Sequence, residues 1–131
     1  MPKQAVTSSR LPSPSGHFAQ ATVVEARGRL VFISGMLAKD ASGQLVGPGD
    51  IEAQTRQVCE NLKAAVEAAG GTLEDICRVD VYVRNMEHFP LIHKVRREYF
   101  TGVAPASTMV EVSKFTTPDA LIEISAIAAV A

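Results

Sequence analysis

Residues 76–84 read ICRVDVYVR, and the reading of this stretch decides the fold. Val79, Val81 and Val83 fall on one side and Asp80, Tyr82 and Arg84 on the other. That is the two-residue period of a half-buried strand. Ile76 and Cys77 break the alternation, which predicts a change of phase near the strand's start. Immediately upstream the period changes. Ile51, Val58, Leu62, Ala65 and Ala69 recur near every 3.6 residues and predict a helix over 51–69 with one apolar face. Asp50 is a suitable N-cap, because a short carboxylate accepts the free N–H groups of a helix start. Gly70-Gly71 ends the helix, and Thr72 with Asp75 suggests a short capped turn.

Downstream, a second helix is expected over 88–100, with Pro90 in its first turn where a missing N–H is tolerated. Gly102 and Pro105 end it. Two strands follow, Ser107–Val112 (STMVEV) and Ala120–Val130 (ALIEISAIAAV). Before the first helix, ATVVEA (21–26) and LVFIS (30–34) read as strands joined by a turn at Gly28-Arg29, which predicts a hairpin. Residues 39–50 are a glycine- and proline-rich loop with room for a short strand near Leu45. Residues 1–16 read as a polar arm without its own core.

The order is strand, strand, helix, strand, helix, strand, strand. It predicts a single α+β domain over 1–131, with both helices on one face of a mixed sheet. Val23, Leu30, Phe32, Val81, Val110, Val112, Ile122, Ile124 and Ile127 offer more apolar strand surface than two helices can cover. That excess predicts self-association through the other sheet face.

Composition narrows the function. The chain has 131 residues, 47% of them hydrophobic, and a formal net charge of −1. Such a surface has no general attraction for nucleic acid or anionic membranes. With no Trp and two Tyr, it also lacks a base-stacking platform. Cys59 and Cys77 match no zinc or redox spacing and read as small apolar thiols. The first residues carry no apolar core of a signal peptide, and no apolar run reaches the ~18 residues of a membrane span. Cytoplasm is the expected location.

An ordered set of segments then carries a resemblance. It runs from Gly16-His17-Phe18-Ala19-Gln20-Ala21 through Phe32-Ile33-Ser34-Gly35 to Gln54-Thr55-Arg56-Gln57 with Asn61-Leu62. It continues with Ala68-Ala69-Gly70, Val81-Tyr82-Val83, Tyr99-Phe100, Pro105-Ala106, Val110-Glu111-Val112 and Ile122-Glu123-Ile124 with Ala126-Ile127-Ala128. In these segments, and over nearly the whole chain from Gly16 on, the sequence resembles the RidA/YjgF family, which also carries the name L-PSP endoribonuclease. The resemblance implies a chorismate-mutase-like (YjgF-like) fold. It implies a homotrimer whose sheets form a central barrel, with small-molecule clefts between subunits and no cofactor or metal. The implied activity is hydrolysis of reactive enamines and imines to a keto acid and ammonia.

The resemblance also places the site. Glu123 matches the family carboxylate that handles water and protons. The family's substrate-binding arginine follows a Pro-Ala pair, and here Pro105-Ala106 is followed by Ser107 and Thr108. A serine offers one hydroxyl and no charge, so it cannot replace a bidentate guanidinium. The chain is therefore expected to bind simple 2-imino carboxylates poorly unless another cation reaches the site. A specialised substrate such as 2-aminomuconate is one alternative, and a non-catalytic metabolite-binding trimer is another. A ribonuclease is disfavoured by charge.

Phe18 stands where many relatives have Tyr, and His17 where many have Pro. With His93 these suggest a rearranged site in which His93, or else His17, joins Glu123 and Ser107 in catalysis; the alternative is that both are surface histidines. His17, Phe18, Ser34, Gly35, Ala106 and Thr108 would then line the substrate. Lys94, Arg96 and Arg97 read as a solvated helix face, with a substitute anion grip as the alternative. A metal site from His17, His93 and Glu123 lacks local ligand spacing. No Gly-x-Ser-x-Gly elbow or phosphate loop occurs.

Overall fold

The computed structural model describes residues 2–25 and 27–131. Among the described residues, six strands and two α-helices follow one another. They are β1 (Gln4–Val6), β2 (Ala21–Val23), β3 (Arg29–Met36), α1 (Ile51–Ala68), β4 (Ile76–Val83), α2 (Phe89–Tyr99), β5 (Ala106–Glu111) and β6 (Ile122–Val130). The main sheet has the order β3-β6-β4-β5, with β4 and β5 parallel and the other pairs antiparallel. The β4–α2–β5 passage is the crossover that a parallel pair requires. It leaves β5 as an exposed sheet edge.

Both helices cover one face. Val58, Leu62 and Val66 of α1 and Ile92 and Val95 of α2 pack with Val79, Val81, Val83, Ile122 and Ile124 in one buried core. Asp50 caps α1 as expected, its Oδ1 accepting from the Ala53 N–H at 3.0 Å. Gln54, on the nominally polar side of the helix, is fully buried. Its amide donates to the carbonyls of Gly47 and Asp119 and accepts from the Leu121 N–H, so all the bonds it makes go to backbone. A buried amide satisfied in this way clamps both loops that flank the helix start.

The phase change at the start of β4 is a bulge: the register with β6 shifts between Ile76 and Arg78, so Ile76 and Val79 both face the core.

Two expectations at the N-terminus are corrected. The hairpin across Gly28 does not form. Strand β2 ends at Val23 and pairs with β1, in the register Gln4↔Val23 and Val6↔Ala21. Ala26, the last residue of the expected strand, lies outside the described residues. Residues 4–6 of the supposed arm are therefore a strand, and Lys3 is buried, its Nζ donating to the Glu74 carbonyl at 2.6 Å. The turn at Gly28 serves the β3–β6 pair instead. Its φ is +74°, and a Cβ there would lie 2.4 Å from the Val130 carbonyl oxygen, so only glycine fits.

The sheet face away from the helices stays open. Phe32 is 73% exposed and Leu30 57%, with Val110 also exposed. Val81, Ile122 and Ile124, counted toward the apolar excess, lie under the helices. The excess is therefore smaller than the sequence suggests and is concentrated on β3 and β5.

Candidate functional site

The alternation along each strand sorts the expected site residues onto two faces. Ser107 pairs with Val79, which is buried beneath the helices, so its side chain faces the helix layer. Glu123 pairs with Tyr82 and lies between the buried Ile122 and Ile124, so its side chain faces the open side. Within one chain, Ser107 and Glu123 do not share a pocket. His93 is buried on the helix side with Ser107, so Glu123 can join these two only from a neighbouring copy.

On the helix side, one cluster forms at the edge of the sheet. The Gly16–Phe18 loop lies beside the start of β5, where the Ala19 N–H donates to the Pro105 carbonyl at 3.3 Å. The His17 backbone N–H donates to His93 Nε2. The His17 ring Nε2 lies 2.8 Å from the Phe100 carbonyl, which can only accept, so that nitrogen carries the proton. His93 is thus neutral and accepting at Nε2. Its Nδ1 is buried without a partner, and its ring stacks on Phe89 with centroids 4.4 Å apart. His93 anchors the loop, and burial, the nearby Arg96 and Arg97 and the His17 ring all hold its pKa below the ordinary imidazole value. Phe18 lines a surface groove with Leu11, Pro12, Pro14 and Gln20.

The same cluster contains a residue that the sequence reading placed in solvent. Arg96 is 2% exposed, and its Nη2 donates to Ser107 Oγ at 3.2 Å. Its Nε is buried without a partner, and it makes no ion pair among the described residues. Lys94 and Arg97 do face solvent, and Lys94 pairs with Glu52 at 3.2 Å. A signal was available: Arg96 stands four residues after Ile92 and three before Tyr99, inside the apolar stripe of α2.

On the open side, Glu123 lies against the β3 bulge, where the register shifts between Ile33 and Met36. A Cβ on Gly35 would lie 2.8 Å from the Glu123 carboxyl carbon. The glycine therefore makes room for the carboxylate. Glu123 is half-buried and makes no hydrogen bond or ion pair among the described residues. Ser34 is exposed beside it. Thr108 and Ala106 also point to this face. Thr108 Oγ1 accepts from Arg78 Nη2 at 2.8 Å, and the same guanidinium pairs with Asp80 at 2.7 Å. Among the described residues no cluster of His, Cys, Asp and Glu could hold a metal ion.

The site is thus a small α+β sheet with one open face, an unpaired carboxylate on that face among the described residues, and a buried cation at its edge. The chain belongs to the endoribonuclease L-PSP family, the RidA/YjgF family, whose model matches residues 8–130. It is 42% identical to a RutC family protein of Pyrococcus horikoshii over 96% of this chain and 97% of that one. It is 36% identical to the 3-aminoacrylate deaminase RutC of Acinetobacter baylyi, with 98% of each chain covered. Among solved structures, the Rid-family protein YyfB of Yersinia pestis superimposes with a TM-score of 0.90 at 33% identity, covering 99% of this chain and all of that one. E. coli TdcF with bound serine superimposes at 0.73 and 29% identity, covering 98% and 99%. These matches establish the fold expected from the sequence. No helix of the described residues is long and apolar enough to cross a membrane.

Proposed function

We propose that this chain is a hydrolytic deaminase of a small enamine or imine, acting in the cytoplasm as a homotrimer with its sites between subunits. The observation that carries the reading is Glu123: a half-buried carboxylate without a partner, seated against a glycine on the sheet face that the helices leave open. A carboxylate in that position has its acceptor oxygens uncommitted and open to a polar ligand. In the trimer, the open face of one copy meets the β5 edge of the next, and Glu123 of one copy faces the Ser107 edge of its neighbour. The exposed Phe32, Leu30 and Val110 are the apolar surface such packing would bury.

The chemistry needs few groups. The carboxylate accepts a proton from water as the water oxygen bonds to the imine carbon. It returns that proton to nitrogen, giving a carbinolamine; it then takes the carbinolamine hydroxyl proton and passes it to nitrogen, so that C=O forms as the C–N bond breaks and ammonia leaves. An enamine first takes a proton at carbon to become the imine. The RutC relative, a 3-aminoacrylate deaminase, supports this reaction class without fixing the substrate.

The test generates 2-iminopropionate with an amino-acid oxidase and traps surviving imine with semicarbazide. The wild-type chain shortens the imine's lifetime, and Glu123→Gln lowers that acceleration by about 100-fold or more. Equal rates for the two proteins would end the proposal. The bound serine in TdcF favours a second reading, a trimer that binds a small amino acid without turning it over. Serine binding with no imine hydrolysis would select it.

A further inference from the structure

We infer that Arg96 and Ser107 together form a subsite for the carboxylate group of a compact, singly charged organic acid, with the cation supplied from helix α2 and the hydroxyl from strand β5. A fold rarely holds a buried guanidinium with no counter-ion, because an uncompensated buried charge is among the most destabilising features it can contain. Arg96 is such a group. It offers five N–H donors, of which Nη2 reaches Ser107 Oγ at 3.2 Å and Nε has no partner. The Cys59 thiol, whose charge it would feel, does not neutralise it. Burial pushes that thiol up to about 12, so it stays protonated. The missing negative charge therefore has to come from outside the chain.

Ser107 marks the way in. It is only partly buried, it stands on the edge strand, and it accepts from Arg96, so its own hydroxyl proton is free to donate outward. The approach is framed by the Gly16–Phe18 loop, which His93 and the Phe100 carbonyl hold down through His17. A ligand carboxylate would take the Ser107 O–H and, with a small rotation of the arginine, an N–H of the guanidinium. Charge-assisted bonds of this kind are the strong ones. One cation and one hydroxyl match one negative charge. A phosphate, carrying nearly two, would remain half-neutralised. The subsite thus meets the condition set by the sequence, that another cation reach the place where the resemblance puts an arginine. It deepens the proposed function in assuming that the acid bound is the imine substrate or its keto product.

The test is binding, with pyruvate as the probe and inorganic phosphate as the control, followed by calorimetry and by thermal melting. The wild-type chain binds pyruvate in preference to phosphate, and its melting midpoint rises with pyruvate concentration. Arg96→Met keeps the side-chain volume and removes the charge. Without ligand it melts at or above the wild-type midpoint, and its pyruvate affinity falls at least about tenfold. The double variant Arg96→Met/Ser107→Arg moves the cation to β5 and regains most of the lost affinity. Unchanged pyruvate binding in Arg96→Met overturns the inference, and so does a lowered midpoint in the ligand-free variant, which would mark the arginine as structural. Ser107→Ala provides a second measurement, and affinity equal to wild type there also overturns it. Pyruvate binding that depends on Arg96 without any imine turnover would end the deaminase reading and leave the subsite standing. Turnover that survives Arg96→Met undiminished would do the reverse.

Discussion

Replacing Gly35 by alanine perturbs the proposed catalytic carboxylate without touching its chemistry. The added Cβ would meet the Glu123 carboxyl carbon at 2.8 Å and Oε1 at 2.9 Å. Since ordinary contacts begin near 3.4 Å, the carboxyl group must retreat by about 0.6 Å or rotate away. Gly35 does not have a positive φ, so alanine brings no backbone strain. The side chain that must yield is the free end of a glutamate on an uncovered face, so the stability cost stays below about 1 kcal/mol. Catalysis is less forgiving: a misplacement near 1 Å costs up to about 100-fold, and 0.6 Å is expected to cost roughly 10- to 50-fold in kcat/KM. The assay is the imine-trapping rate, read beside a thermal melt on the same preparation. A Gly35→Ala protein that melts like wild type and hydrolyses imine within twofold of it would refute the role given to Glu123.

Three further outcomes follow from other parts of the molecule. His93 is held neutral, with a pKa below the usual 6.5. Below that pH the unfolded chain takes up a proton that the folded one resists, so stability is lost as pH falls from about 6.5 toward the folded value. Hydrogen exchange at the His17 amide should accelerate over the same window, and His93→Ala should make it fast at every pH. Phe32→Asp places a charge on the open face, and light scattering should then give one chain's mass where the wild-type chain gives three; a trimeric variant would locate the interface elsewhere. Ser107→Arg alone puts a second guanidinium beside Arg96, so it should lower the melting midpoint, with about 1–4 kcal/mol of repulsion at close approach, and should not improve turnover. A gain in activity would instead show that Arg96 contributes nothing.

The periodic parts of this structure were legible because burial acts on every residue of an element at once. The apolar stripe of α1 and the alternation of β4 gave their elements to within a residue or two, whereas Ile122 and Ile124, counted toward the uncovered surface, lie under the helices, with Glu123 on the open face. Strand pairing was less legible. ATV at 21–23 can pair with any neighbour, and its partnership with Gln4–Val6 depends on contacts distant in sequence, such as Thr22 Oγ1 donating to the Cys77 carbonyl at 2.8 Å. Arg96 was misread for a third reason. Its neighbours Lys94 and Arg97 are solvated, and an arginine is normally exposed, so local context argued for water while the helical stripe argued for burial. The buried position won because Arg96 follows the geometry of Ile92 and Val95 on the same turn.

The short β1–β2 ribbon pins residues 7–20 at both ends, and the two histidine contacts hold the last part of that span against α2. Between these fixings, residues 9–15 are exposed and make few commitments to the core. Lengthening or recolouring that stretch leaves the anchors intact, and adding residues to an already closed loop costs little entropy. Natural variation can therefore re-tailor the surface beside the β5 edge while the strands of the sheet beneath stay unaltered.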